Sequence, residues 1–325
     1  MRIVIILSLL LISFISCVDE YDLDLDKVDS RLVVEGLITN QKGPYYIRLT
    51  KSHSGKFIAP INSPIDSAKG IMNASIIISD NVNQVDTLVP IDINLAEYDY
   101  DYRWGFYKFI YDNSGNILDT LFLSDPPEFS HERGYYKTKH LIGIPGRTYF
   151  LRVISEGKEY QASAFMPPVP EIDSLGYIKK ISEKDGQEYY IPLLYFSEPQ
   201  DIENYYLIQL NDEIWSRRYA EDFNWEFSIL SDEFLQPYVN GLNVSLGANP
   251  RGFEYPLYQQ GNDIYVALSS LTKNAYEFYK AILQQFNSDG GAYQLSPASP
   301  PSNISNGGLG YFRASSISEK RTKIN

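Results

Sequence analysis

The chain holds one cysteine, Cys17, in 325 residues. A single thiol cannot close an internal disulfide, so stability has to come from packing. Histidine is nearly as scarce. His53, His131 and His140 show no His-Glu-x-x-His run and no cysteine pair of the kind a zinc site uses, so neither a metal nor another cofactor is expected. There is no Gly-x-Ser-x-Gly elbow and no phosphate-cradling glycine loop, which removes the usual sequence support for serine hydrolysis and nucleotide chemistry. Positive charge is also short: 28 Lys and Arg stand against 41 Asp and Glu, a formal net charge of −13. A field of that sign excludes nucleic acid as a partner held by net charge.

What is present begins at the N-terminus. Met1 and Arg2 form a short positive end, Ile3 to Ile12 is apolar apart from Ser8, and Ser13-Phe14-Ile15-Ser16 leads into Cys17. The run is too short to span a ~30 Å hydrocarbon core, and polar, acidic sequence follows at once, so residues 1–16 read as a cleaved lipoprotein signal peptide. Phe14 stands where a bacterial lipobox usually has Leu. Cys17 then becomes the lipidated N-terminus, with each buried acyl methylene contributing roughly 0.8 kcal/mol to membrane anchoring. No later segment is apolar for long enough to cross a bilayer as a helix. Residues 17–30, rich in Asp and Glu, read as a solvated tether. Lys27 occupies the position where an EF-hand loop needs glycine.

The body is aromatic, with 27 Tyr and 16 Phe, and its apolar residues fall in short alternating runs between turn residues. The expected fold class is mostly β. Residues 31–166 are expected to form an Ig-like or regulatory-type β-sandwich, starting with a hairpin of Arg31 to Thr39 and Tyr45 to Thr50. The proline-rich stretch 167–176 is expected to be a linker. Residues 177–325 are expected to form a larger β-rich domain with one amphipathic helix near 270–286, capped by Ser270 or Thr272, and a last strand from Tyr311 to Ser315.

Two aromatic clusters are candidate ligand-binding surfaces: Tyr98, Tyr100, Tyr102 and Trp104, and, further along, Trp215 and Trp225. Rings edged with polar groups make good platforms for sugars and peptides, and the same alternation also fits a strand pair with its rings in a core. Asp99, Asp101, Glu221, Asp222 and Glu226 lie among these aromatics and are the first acids to inspect for a paired-carboxylate hydrolase. Ser67, Thr87, Thr120 and Ser174 each follow an aspartate and precede an apolar residue, a tripeptide that resembles the O-glycosylation acceptor of Bacteroidota.

Several segments together resemble the domain of unknown function 4249 family of Bacteroidota lipoproteins. They are the lipobox, LVVEGLIT at 32–39, GIPGRTY at 143–149, MPPVP at 166–170 with IDSL at 172–175, and PPSNISNG at 300–307. The resemblance implies an outer-membrane lipoprotein facing the cell exterior, associated with a TonB-dependent transporter of the starch-utilisation type and with neighbouring lipoproteins. It implies no catalytic residues. The expectation is therefore a non-enzymatic accessory or ligand-capturing protein, with a surface hydrolase of glycan or peptide and a structural envelope-assembly protein as the other readings.

Overall fold

Alternation in LVVEGLIT places Val34, Gly36 and Ile38 on one face of strand β1 (Leu32–Thr39) and Val33, Glu35 and Leu37 on the other. The computed structural model describes residues 29–52, 70–91, 99–101, 105–112, 114–122, 133–181, 186–210, 227–244, 258–287 and 299–325. In it β1 pairs antiparallel with β2 (Tyr46–Lys51), as the hairpin reading expects. The sheet continues through β9 (Tyr135–Lys137) to β5 (Val89–Pro90). A second sheet is built from β3 (Ala74–Asp80), β4 (Val85–Thr87), β10 (Thr148–Ser155) and β11 (Lys158–Phe165), in the order β11-β10-β3-β4. The inward residues of both sheets, among them Val34, Ile47, Leu49, Ile76, Ile78, Tyr149 and Leu151, form one core. This is the first sandwich.

After Met166, which is fully buried, the chain enters a second pair of sheets. One contains β12 (Ile172–Ile181), β13 (Glu188–Ser197) and β16 (Tyr238–Asn243). The other runs β15-β14-β17-β19, from Phe227–Ser231, Tyr205–Leu210, Asp263–Leu271 and Ile317–Lys323 respectively. Leu194, Phe196, Tyr206, Ile208, Val266 and Leu268 fill the space between them. The expected linker ends early, because β12 already starts at Ile172. Helix α1 (Lys273–Asn287) lies on the far face of the second of these sheets, where Ala275 and Tyr279 pack with Leu207, Phe227 and Leu271. It starts later than its sequence suggests. Thr272 is the cap, its Oγ accepting from the Ala275 N–H, whereas Ser270 is still in β17.

The C-terminus does not stay with the second sandwich. Strand β18 (Leu309–Ser315) runs parallel to β1 on the edge of the first sandwich's sheet, with Val33 opposite Leu309 and Thr39 opposite Ser315. Phe312 and Ala314 enter the first core. After Ser316 alone, the same chain becomes β19 at Ile317 and pairs antiparallel with β17 in the second sandwich. A division at the proline run therefore separates strands of one sheet. Where the two bodies meet, the Pro167 carbonyl accepts from the hydroxyls of Ser270 (2.7 Å) and Ser316 (2.6 Å).

A fifth sheet, of three strands, β6 (Asp99–Asp101), β7 (Gly105–Tyr111) and β8 (Ile117–Phe122), is an antiparallel meander. Tyr107, Phe109 and Tyr111 stack edge to face along β7, with centroids 5.1 and 6.3 Å apart. The fold is thus mostly β, with several sheets, none closed into a barrel among the described residues, and one α-helix there.

One buried acid in the second sandwich makes stability pH-dependent. Glu198 is 4 % exposed and accepts hydrogen bonds from the Tyr206 hydroxyl and from Asn204 Nδ2. Burial drives its carboxyl pKa upward despite those two donors, and the nearby Asp232 adds to the rise. With the folded pKa raised, its contribution to stability is fully present below the unfolded pKa and is lost as pH climbs through the folded one. Glu198→Gln is expected to melt above the parent at pH 7.5, by roughly 1 kcal/mol or about 2–4 °C, with the gap closing toward pH 4. Melting curves at both pH values check this; a gap that does not narrow in acid contradicts it.

Candidate functional site

Because β18 returns to β1, the outer face of that sheet lies against α1, and a pocket of ≈ 300 Å³ remains between them. One wall is the outward set of β1, Val33, Glu35 and Leu37, with Leu309, Tyr311 and Arg313 of β18. The other is Phe278, Tyr279 and Ile282 of α1, and Arg31, Ser299 and Pro300 complete the rim. Two contacts hold the helix over the sheet: the rings of Phe278 and Tyr311 lie 4.7 Å apart, and the Arg313 guanidinium sits 5.1 Å above the Tyr279 ring. The side chains of Tyr311 and Thr272 are hydrogen-bonded, which fixes the start of α1 to β18. Gly310 allows the close strand approach: its φ is +86°, and a Cβ there would meet the Val34 carbonyl oxygen at 2.1 Å.

The charges on this face are arranged unevenly. Glu35 stands opposite Arg48 in the β1–β2 register, but the nearest approach, Arg48 Nη1 to Glu35 Oε2, is 3.7 Å. That is an ion pair without hydrogen-bond geometry. Glu35 Oε2 is inaccessible to solvent and accepts no hydrogen bond. Burial accordingly raises the Glu35 carboxyl pKa, and the attraction of Arg48 offsets only part of the rise. Arg48 is 6 % exposed, donates from Nε to the Arg133 carbonyl and lies over the Tyr135 ring. Arg313 is 4 % exposed. An apolar cleft with a few convergent charged groups, one of them with a perturbed pKa, is the arrangement expected of a small-molecule site.

Of the residues singled out from sequence, few fall where the structure describes side chains. Cys17, Ser67, Tyr98, Tyr102, Trp104, Trp215 and Trp225 lie outside the described residues, as do Glu221, Asp222, Glu226, His53 and His131. Tyr100 is in β6 opposite Phe106, and Asp99 is an exposed residue of the same strand. His140 is exposed, and its backbone N–H donates to Asp86. Among the described residues no group of His, Cys, Asp and Glu could hold a metal ion, and no helix is long and apolar enough to cross a membrane. Thr87 is exposed on β4, Thr120 is half-buried on β8, and Ser174 is exposed beside an irregularity in β12. The pocket residues were missed as a set. The available signal was a charged residue inside each of two otherwise apolar strands, Glu35 in LVVEGLIT and Arg313 in LGYFRAS.

Compared with known proteins, the chain matches the family model described as Domain of unknown function (DUF4249) over residues 18–321. No curated protein matches it.

Proposed function

This chain belongs to the DUF4249 family, and on that premise we propose that it is a non-enzymatic, ligand-capturing lipoprotein. In this reading lipid on Cys17 holds it to the outer face of an outer membrane, where it serves as an accessory subunit of a TonB-dependent nutrient transporter. The observation that carries the reading is the pocket between α1 and the β1–β18 edge. Its walls are mostly apolar, and among the described lining residues Glu35 is the only carboxylate. Paired-acid hydrolysis needs a second acid about 5–10 Å away, so the lining suits binding rather than glycoside cleavage.

The pocket is also well placed for hand-over at a membrane. Arg31, on its rim, is 14 residues from Cys17. A chain of that length reaches roughly 50 Å when fully extended, so the pocket would open within that distance of the lipid. The test is a mild-detergent pull-down of the tagged protein from its native membrane, with mass spectrometry of what accompanies it. A TonB-dependent transporter is expected in the eluate, and Cys17→Ala is expected to lose both the membrane fraction and the transporter. Recovery of the parent protein alone, or membrane retention of Cys17→Ala, would overturn the proposal.

A further inference from the structure

We propose that the end of the second sandwich formed by the β13–β14 and β15–β16 connections is a docking surface for a protein partner, one that offers an apolar socket rimmed by lysine and arginine. This surface shares no residue with the pocket, and only the existence of a protein partner in the envelope is taken from the accessory reading. Three observations carry it. The first is an apolar side chain for which the fold has no use. Phe234 closes a short 3-10 turn (Asp232–Phe234) and is 84 % exposed, while the next residue, Leu235, packs against the second core. Ile202, in the neighbouring connection, and Tyr238, at the start of β16, are exposed as well. Single exposed apolar side chains are ordinary, but three on two adjoining connections mark an interface.

The second is rigidity, because the two connections are bonded to each other. The Asn204 N–H donates to Asp232 Oδ2 at 2.7 Å, the Asp232 N–H donates to the Asn204 carbonyl at 3.1 Å, and the Glu198 N–H donates to the Pro237 carbonyl at 2.9 Å. From inside, Asn204 Nδ2 ties the buried Glu198 carboxyl to the carbonyls of Pro199 and Ile202. A surface ordered in advance loses little freedom on association, so its apolar anchors contribute more to binding. The third is charge. Residues 197–204 and 231–238 include Glu198, Asp201, Glu203, Asp232 and Glu233 and no lysine or arginine. Glu198 is buried, and Glu203 lies 3.5 Å from Lys273 at the start of α1. Among the described residues no cation pairs with Asp201, Asp232 or Glu233. The strands reach this end at Ser197, Tyr205, Ser231 and Tyr238, whereas residues 182–185, 211–226 and 245–257 adjoin the other end of the same strands, after Ile181, Leu210 and Val244. Acids around apolar anchors repel anionic headgroups and a second copy of a chain with a net charge of −13, and they attract a basic rim.

The test is zero-length carbodiimide crosslinking of the full-length lipoprotein in its native membrane, with mass spectrometry of the joined peptides. The reagent couples a carboxylate only to an amine in contact with it, so it reads the basic rim directly. Asp201 or Glu233 is expected to be joined to a lysine of a second protein, which on the accessory reading is the TonB-dependent transporter. Phe234→Ser is expected to lower the yield of that adduct about tenfold or more, and Phe150→Ser, the same change at an exposed position on the outer face of β10, to leave it within about twofold. Phe234 lies outside the core, so its variant is expected to melt within about 1 °C of the parent, which separates lost docking from lost folding. Coupling only to Lys273 or another lysine of this same protein, coupling only to aminophospholipid, or an adduct that survives Phe234→Ser would each overturn the inference, and a transporter still found in the pull-down would leave the accessory role standing. An adduct with a different envelope protein that is lost in Phe234→Ser does the reverse: the docking surface stands and the transporter reading falls.

Discussion

Ending the chain at Gly308 is expected to leave neither sandwich cooperatively folded. The residues removed supply an edge strand to each body. β18 pairs with β1 over seven positions, and β19 pairs with β17 over seven. Phe312 is fully buried in the first core, and Ile324 is 1 % exposed in the second. Removing a buried Phe side chain alone costs about 3–5 kcal/mol, against a total stability of about 5–15 kcal/mol for a whole domain. Truncation also exposes the β1 edge and removes the Phe312 backbone groups with which the Asn303 side chain pairs, donating at 2.7 Å and accepting at 2.9 Å. Near-ultraviolet circular dichroism and limited proteolysis would measure the loss, and a synthetic peptide of residues 309–325 added in trans should restore part of the signal. A first sandwich that still melts cooperatively without these residues would show that the returning strand is accessory to it.

The second large effect is expected at Asp86, on the short strand β4. Its side chain is buried at 3 % exposure, and Oδ2 accepts three consecutive backbone N–H groups, from Lys139, His140 and Leu141, at 2.8, 2.6 and 2.8 Å. Those donors belong to the turn after β9 and find their acceptor in a carboxylate from the opposite sheet. Asp86→Ala leaves them without it, at a cost of about 3–5 kcal/mol for the set; Asp86→Asn keeps an acceptor oxygen and should lose about half as much. Urea unfolding with an unchanged slope and a lowered midpoint would report it, and a loss below about 1 kcal/mol would mean that water replaces the carboxylate. The aspartate of the Asp86-Thr87-Leu88 tripeptide thus has a structural use that its sequence context did not suggest.

Local pattern was readable and long-range pairing was not. Alternation located β1, β2 and β18 to within a residue or two. The same alternation says nothing about partners. RLVVEGLIT reads as a strand whether its neighbour is β2, ten residues away, or β18, nearly three hundred residues away, and a parallel pairing of that kind has no turn to announce it. The pocket was hidden for the same reason, since its walls come from residues 31–37, 278–282 and 299–313 and meet only after the chain returns. At the helix start, Ser270 and Thr272 both offered a capping hydroxyl. The β17–β19 pairing decided between them by holding Ser270 in the sheet, with its N–H donating to the Ser316 carbonyl. Further along the same aromatic run, Tyr107, Phe109 and Tyr111 touch edge to face along one strand, while Tyr98, Tyr102 and Trp104 lie outside the described residues.

The parallel pairing of β1 with β18 also sets an order of events during synthesis. The first strand to emerge cannot complete its hydrogen bonds until almost the whole polypeptide has followed it, so no early portion can lock into its final form and stall. The same delay leaves the free edge of β1 available to mispair with other chains while it waits. Folding of this molecule should therefore gain from a holding chaperone until residues 309–325 arrive.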